Sequence, residues 1–443
     1  MNKLIGTLCL IVLAGVMNSI LFNVTLEDMA IDLKVNSSAI SWIVIAYTLV
    51  TTFGSVIYSK LASYFQIKKL LLIGVTLFTL GSLIGFYSSI FTVVLIGRII
   101  QAMGGSSFIA LSMITATQYI PLPKRNVALT LIGGCLSLGS GLGFLIGGIF
   151  AFTWGWHSLF LLMSLTFLIT IGIYFLFPSG YASKERITEP FDILGMFYLV
   201  IFVTFFILGV KLNIYLLFLC IISVFLLGLH SKNKKIVLLV DPSVFRNYSY
   251  NRLILISFIN NAAMVATLFL FPTLMNRAFH LSVIQIGFII CIVAIVSFFI
   301  SLIIRKIVQV ISNGKSMFLS ILLQLLGFCI LAFFGIHSLI MAILGLFLIY
   351  SSYGALTVII NLEIPQHIKP EKAAMGLGMY NLINFLGMSF GPSVSSRILS
   401  VYTNISFVLQ CFAVLLVVIL LLMFTGRKNS QLSLKRNVSL EKD

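Results

Sequence analysis

Fourteen apolar runs, each close to the ~20 residues needed to cross a hydrocarbon layer, follow one another along 443 residues with short polar breaks between them. They lie near 4–25, 39–58, 70–89, 92–118, 127–150, 155–177, 192–210, 213–229, 253–275, 283–304, 316–334, 338–360, 374–399 and 404–425. A soluble core has no use for such a series. Charged residues make up only 9% of the chain, against ~25% in an ordinary soluble domain, and the mean hydropathy is +1.16. Composition therefore excludes a soluble enzyme, a nucleic-acid binder and a disordered chain. The expected fold class is an all-α polytopic membrane protein with 14 transmembrane helices.

The net charge of +17 is a matter of placement. With the N-terminus inside, the inner segments hold Lys3, Lys60, Lys68, Lys69, Lys124, Arg125 and further basic residues to a total of 23 of the 28. The outer segments hold Lys34, Lys211, Arg277 and Arg397, and Arg98 sits inside the fourth run. The positive-inside rule then puts both termini in the cytoplasm, and the charge itself is attraction to anionic inner-leaflet lipid rather than to nucleic acid. Trp42, Trp154 and Trp156 fall at outer helix ends, as an aromatic belt predicts. The first run lacks a small-residue cleavage site and is read as a helix, not a signal peptide. The six cysteines fall within apolar runs with no C-x-x-C pair, so they read as small core residues. The five histidines sit near run ends without clustering, and no metal site is assigned. No nucleotide loop, nucleophile elbow or zinc motif is present, and the chain is not read as an enzyme.

Runs 1–6 and 9–14 can form two six-helix bundles with runs 7 and 8 inserted between them, since basic loops at 59–69 and 305–315 fall at the same place in each half. The expected boundaries are 1–180, 181–235 and 236–425, followed by a polar, disordered cytoplasmic tail, 426–443.

Four features can carry chemistry. Arg98 lies about 9 Å into its helix at ~1.5 Å per residue, where a guanidinium needs a partner or water; Gln101 shares its face. It is either a functional charge or an outward-snorkelling clamp. Acids are scarce, and none is mid-span: Glu27 and Asp28, with Asp32, close the first run. A carboxyl in a dehydrated site near Arg98 is pushed in opposite directions by burial and by the cation, which is what a proton carrier requires; plain solvation at the interface is the alternative. The amides Asn18, Asn260, Asn261, Asn381 and Asn384 are candidates for a substrate cavity or for interhelical hydrogen bonds. Gly139, Gly143 and Gly147 recur every four residues beside Gly148, baring one face of the fifth helix. That face permits close packing, either static or as a sliding seam between bundles.

With these residues in view, the chain resembles the major facilitator superfamily, specifically its fourteen-helix drug:proton antiporters, which include the Gram-positive tetracycline efflux proteins. The resemblance covers most of the length and is strongest over the first 150 residues. Asn23-Val24-Thr25-Leu26-Glu27-Asp28-Met29 is similar to N-V-A-L-P-x-I, and Trp42, Ala46, Tyr47 and Leu49 resemble W-x-x-x-A-Y-x-L. The loop Ser59–Lys69 resembles the cytoplasmic gating motif G-x-L-x-D-x-x-G-x-K/R, which implies gate roles for Lys60, Lys68 and Lys69. Arg98–Gly104 is similar to R-x-x-Q-G-x-G, and Gly139–Gly148 to the antiporter motif G-x-G-x-G-P-x-x-G-G. Asp241–Asn247 is similar to the family's loop before helix 9. Departures are Phe144 for the antiporter proline, Ser140 where the tetracycline class often has an acid, Ser63 for the gating aspartate and Ser59 for its first glycine. Asn18 stands for a frequent helix-1 aspartate, and Glu27 for a proline.

The resemblance implies a monomeric exporter of the bacterial inner membrane that alternates access between its two bundles. It implies proton-coupled efflux of small amphipathic drug-like compounds, with the proton gradient and no other cofactor. Coupling falls to Glu27, Asp28 and Arg98. The cavity falls to Asn18, Tyr47, Gln101, Asn260, Asn261, Asn381 and Asn384. The absence of deep acids favours neutral or zwitterionic compounds over multivalent cations. Two other readings stay open, a metabolite or lipid exporter and an uncoupled sensor or scaffold.

Overall fold

The computed structural model describes residues 2–177, 192–211, 213–231, 242–310, 312–369, 372–402 and 404–440, without the side chains of residues 27, 37–38, 242, 301–302, 304–310, 422 and 424–440. Each of the fourteen apolar runs lies on a helix. The first half comprises α1 (Asn2–Leu21), α2 (Trp42–Leu61), α3 (Ile67–Tyr87), α4 (Phe91–Gln118), α5 (Leu122–Trp154) and α6 (His157–Leu176). Next come α7 (Ile193–Lys211) and α8 (Leu217–His230). The second half comprises α9 (Tyr248–Phe279), α10 (Val283–Val310), α11 (Asn313–Phe333), α12 (Leu339–Glu363), α13 (Ala373–Val401) and α14 (Ile405–Leu440). Among the described residues, eleven helical segments are long and apolar enough to cross a membrane, and Ile214–His230 and Ile405–Leu421 are shorter apolar helices. α14 is described to Leu440. The basic loops at 178–191 and 232–241 lie outside the described residues.

Local chemistry sets the helix ends. The Asn247 side chain accepts from the amides of Ser249 and Tyr250 to start α9, and Ser338 accepts from Met341 N–H to start α12. Pro123 in the first turn suits the start of α5, where the missing N–H costs nothing. Gly155, at φ +75°, ends that helix in a conformation that side chains rarely adopt.

The two halves repeat one packing scheme. α1 lies on α5 as α9 lies on α13, α2 on α4 as α10 on α12, and α3 on α4 and α6 as α11 on α12 and α14. The halves meet chiefly where α5 packs on α10 and α2 on α13, with further contact of α5 with α12 and of α4 with α13, while α7 and α8 pair together and α7 rests on both α2 and α13. Buried Asp192 caps α7 through Gly195 N–H and holds His230 of α8 at 2.7 Å. Lys124 Nζ donates to Asn2 Oδ1, so the N-terminus shares an end of the bundle with the 119–121 turn; this is called the basic end below, and the other the tryptophan end.

The tryptophan expectation needs correcting. Trp154 is exposed, but Trp156 is only 2% exposed, stacks on His157 and donates from Nε1 to Asp32 Oδ2 at 2.9 Å. It is a clamp between the segment after α1 and the start of α6, not a belt residue, because an indole N–H can be buried where an acceptor meets it.

Candidate functional site

Arg98 is the centre of the first half. Gly81 and Gly97 let α3 and α4 meet backbone to backbone, since a Cβ on Gly81 would collide with the Gln101 backbone. That contact fixes Arg98 and Gln101 in the interior, both fully buried. Arg98 Nη1 donates to Gln101 Oε1 at 2.6 Å and to Asn18 Oδ1 at 3.4 Å, and Nε donates to the Ile43 carbonyl at 3.3 Å. Gln101 passes the network on to Ser82 Oγ at 2.7 Å. Phe22 and Tyr47 stand 4.2 and 4.3 Å from the guanidinium carbon, ring centroid to Cζ. Each such desolvated ring contact contributes on the order of 2 kcal/mol. Nη2 has no partner.

The sequence pointed to acids as partners, and to a guanidinium reaching outward towards them. Among the described residues no carboxylate pairs with Arg98. Asp28 is exposed, Asp32 is engaged by Trp156, and the Glu27 side chain lies outside the described residues. The reason is depth: α1 crosses α4 at Asn18, more than two turns before the acids, so an amide and not a carboxylate meets the charge.

The second half carries a neutral polar cluster. Ser257 Oγ donates to Asn384 Oδ1 at 2.5 Å, Asn261 Nδ2 donates to the same oxygen at 3.2 Å, and Tyr353 donates to Asn261 Oδ1 at 3.3 Å. Tyr380 donates to Asn361 Oδ1 at 2.8 Å. Asn260 turns away from this group and donates to Thr357, bracing α9 on α12. The sequence alone does not single out Tyr353, Asn361 and Tyr380. The available signal was two phenols and an amide deep in apolar spans, away from the interface where tyrosines normally sit.

Between the halves is a cavity of about 500 Å³, within the ~300–1,000 Å³ typical of small-molecule sites. It is walled by α1, α2, α5, α7, α9 and α13, and reaches the tryptophan end beside exposed Asn23 and Lys211. Tyr47 and Phe144 are on its wall. A smaller void of about 40 Å³ shares Ile20, Leu268 and Phe385 with it, and is lined by Asn261, Asn361, Asn381 and Asn384. Asn18, Gln101 and Asn260 are in neither wall.

At the basic end the halves close on each other. A Cβ on Gly378 of α13 would come 2.7 Å from the Ser59 β-carbon of α2. Among the basic residues of the loop, Lys68 lies over Tyr174 of α6, Lys69 is exposed, and buried Lys60, beside Ser59, approaches Tyr64.

The glycines of α5 divide into two faces. Gly139, Gly143 and Gly147 lie on Val16, Met17 and Leu21 of α1, within one half. The seam between halves uses Gly134 and Gly141, against Phe298 and Ala294 of α10, with Gly148 in looser contact with Val283. The every-four spacing therefore marks packing within one half, and Gly134, Gly141 and Gly148, seven apart, mark contact with the other half.

A sequence profile of the Major Facilitator Superfamily matches residues 7–392 and 253–440. The multidrug efflux pump SdrM of Staphylococcus aureus is 24% identical over 441 residues, covering 96% of this chain and 97% of that protein. The riboflavin transporter RibZ of Clostridioides difficile is 29% identical over 191 residues, 43% of this chain and 41% of RibZ. The human organic anion transporter MFSD10 has the same fold, with a TM-score of 0.71 at 14% identity over 95% of this chain and 99% of that one. The chain belongs to the Major Facilitator Superfamily, a family of membrane transporters and not of enzymes.

Proposed function

We propose that this protein exports small amphipathic, drug-like compounds across the bacterial cell membrane by alternating access, driven by protons moving inward. The observation that carries the reading is the cavity between the halves, open at the tryptophan end and shut at the basic end. With fourteen spans and both termini cytoplasmic, as the basic-residue bias indicates, that opening faces outward. The full-length similarity to a multidrug efflux pump supports the same substrate class.

In this scheme Tyr47, Asn261, Asn381 and Asn384 meet the substrate. Arg98 acts on the cavity through its field, held in place by Asn18 and Gln101. Glu27 and Asp28 follow Leu26, which is on the cavity wall, and take up protons at its outer lip. The protein works as a monomer with the proton gradient as its only cofactor. A metabolite exporter is the second reading, favoured by the partial similarity to a riboflavin transporter.

The test uses inverted membrane vesicles energised to be acidic inside. Tetracycline or ethidium accumulation that a protonophore abolishes is the expected result. Riboflavin accumulation without either drug would select the second reading. Uptake indifferent to the gradient would make the protein an uncoupled carrier.

A further inference from the structure

Among the described residues, the one charged side chain in the cavity wall is a cation, and the acids Glu27 and Asp28 stand only at its outer lip. Lys211 is in its wall, exposed, with no hydrogen bond or ion pair among the described residues. Arg98 lies behind Tyr47, which is itself in the wall, so only one aromatic ring separates the guanidinium from the cavity. Among the described residues no aspartate or glutamate lines either the cavity or the smaller void. Arg98, buried in low-dielectric surroundings, and Lys211, exposed at the mouth, both make the potential of the space they border more positive.

The unsatisfied polar groups point the same way. Among the described residues, Arg98 Nη2, Asn361 Nδ2 and Asn381 Nδ2 are buried without hydrogen-bond partners and all three are donors, whereas the unpartnered acceptor Asn260 Oδ1 lines neither space. The orientation of the Asn18 amide follows from chemistry, because a guanidinium only donates, so Asn18 must turn its oxygen to Arg98. Asn361 and Asn381 open onto the smaller void. A buried N–H without an acceptor is costly, and a ligand rich in acceptors relieves it.

We infer that the transported compounds are organic anions, amphipathic molecules carrying a carboxylate. The acid is drawn in by Lys211 and held in the field of Arg98, while its neutral acceptors take the amide donors of Asn361 and Asn381. Organic cations are disfavoured by the same charges. This rests on the cavity being the transport site, and replaces the neutral or zwitterionic preference with a negative one.

The test is equilibrium binding to purified full-length protein, using a panel of fluorescent amphipathic carboxylic acids, the methyl ester of each, and ethidium. At least one acid should bind about tenfold more tightly than its ester and than ethidium, and added salt should erode the difference. Lys211→Gln should reduce the preference severalfold, and Lys211→Glu should reverse it towards ethidium. Both act at an exposed position, so folding is not at stake. Replacing chloride by nitrate leaves the preference unchanged if the bound anion is the organic acid; a preference that exists only with one inorganic anion present would overturn the inference. So would a panel in which no acid outbinds its ester, or a Lys211→Glu protein with the wild-type ratio. Gradient-driven transport of ethidium without any acid preference would sink this inference and leave drug efflux standing. Acid preference without gradient-driven transport would do the opposite.

Discussion

A methyl group added at Gly141 would fall inside 3.0 Å of the Ala294 β-carbon, closer than real β-carbons approach, and 3.2 Å from the Ile290 carbonyl. Both obstacles are rigid parts of α10. The two helices would have to part by about 1 Å to restore contact at 3.4 Å, and overpacking of this kind costs about 1–3 kcal/mol. The penalty falls on the arrangement in which α5 and α10 touch here. If the halves rock about this seam, Gly141→Ala moves the equilibrium away from the outward-open arrangement by about 5- to 150-fold. Gly143→Ala meets the Met17 backbone at 3.0–3.2 Å, inside one half. It should lower stability and leave the equilibrium where it is. The assay is the labelling rate of Thr273→Cys, in the cavity wall, by a membrane-impermeant maleimide on intact cells, paired with thermal unfolding of the purified variants. Gly141→Ala with a lowered Tm and an unchanged labelling rate would show that the contact is the same in both arrangements, refuting the moving seam. A labelling change in Gly143→Ala alone would assign the seam to the wrong face.

Other outcomes follow from the same geometry. Glu27→Gln and Asp28→Asn, singly or together, should preserve substrate binding yet abolish gradient-driven uptake into inverted vesicles; full uptake in the double variant would remove both from coupling. Arg98→Ala should abolish transport, whereas Arg98→Lys should retain part of it, since charge remains without the fork that bonds Asn18, Gln101 and Ile43 together; equal losses would mean that geometry alone matters. Trp156→Phe deletes the bond to Asp32 and should cost about 0.5–1.5 kcal/mol, read as a lower Tm with little change in transport. External reagents should label a cysteine at position 34 and miss one at 124, and the reverse pattern would invert the topology.

Much of the fold was legible because bilayer thickness leaves a coarse mark: every apolar run is a helix. The site was legible by type more than by partner. Arg98 and Gln101 sit three residues apart, and their shared face needs only helical periodicity. That Asn18 and the Ile43 carbonyl complete the cage depends on where α1 and α2 cross α4, a non-local fact. The glycines teach the same lesson. Spacing shows that α5 has bare faces at both four and seven residues, but not which of them looks towards its own half. Trp156 reads as an interfacial residue until Asp32, more than a hundred residues earlier, is known to reach it.

Pro272 of α9 and Pro392 of α13 are both in the cavity wall near the tryptophan end. Below them the two helices are locked together, with Gly387 and Gly391 of α13 lying flat on the carbonyls of Phe258 and Ala262. Each proline removes a rung from the backbone ladder, and helices bend most easily there. Stiffness along this helix pair is therefore uneven, high up to Gly391 and low just beyond it. The last segments, roughly 10–14 Å long at ~1.5 Å per residue, form two short levers on a rigid base. They can lean over a captured molecule while the lower interface stays still. Bending at the prolines can therefore narrow the entrance without any change in the interface below them.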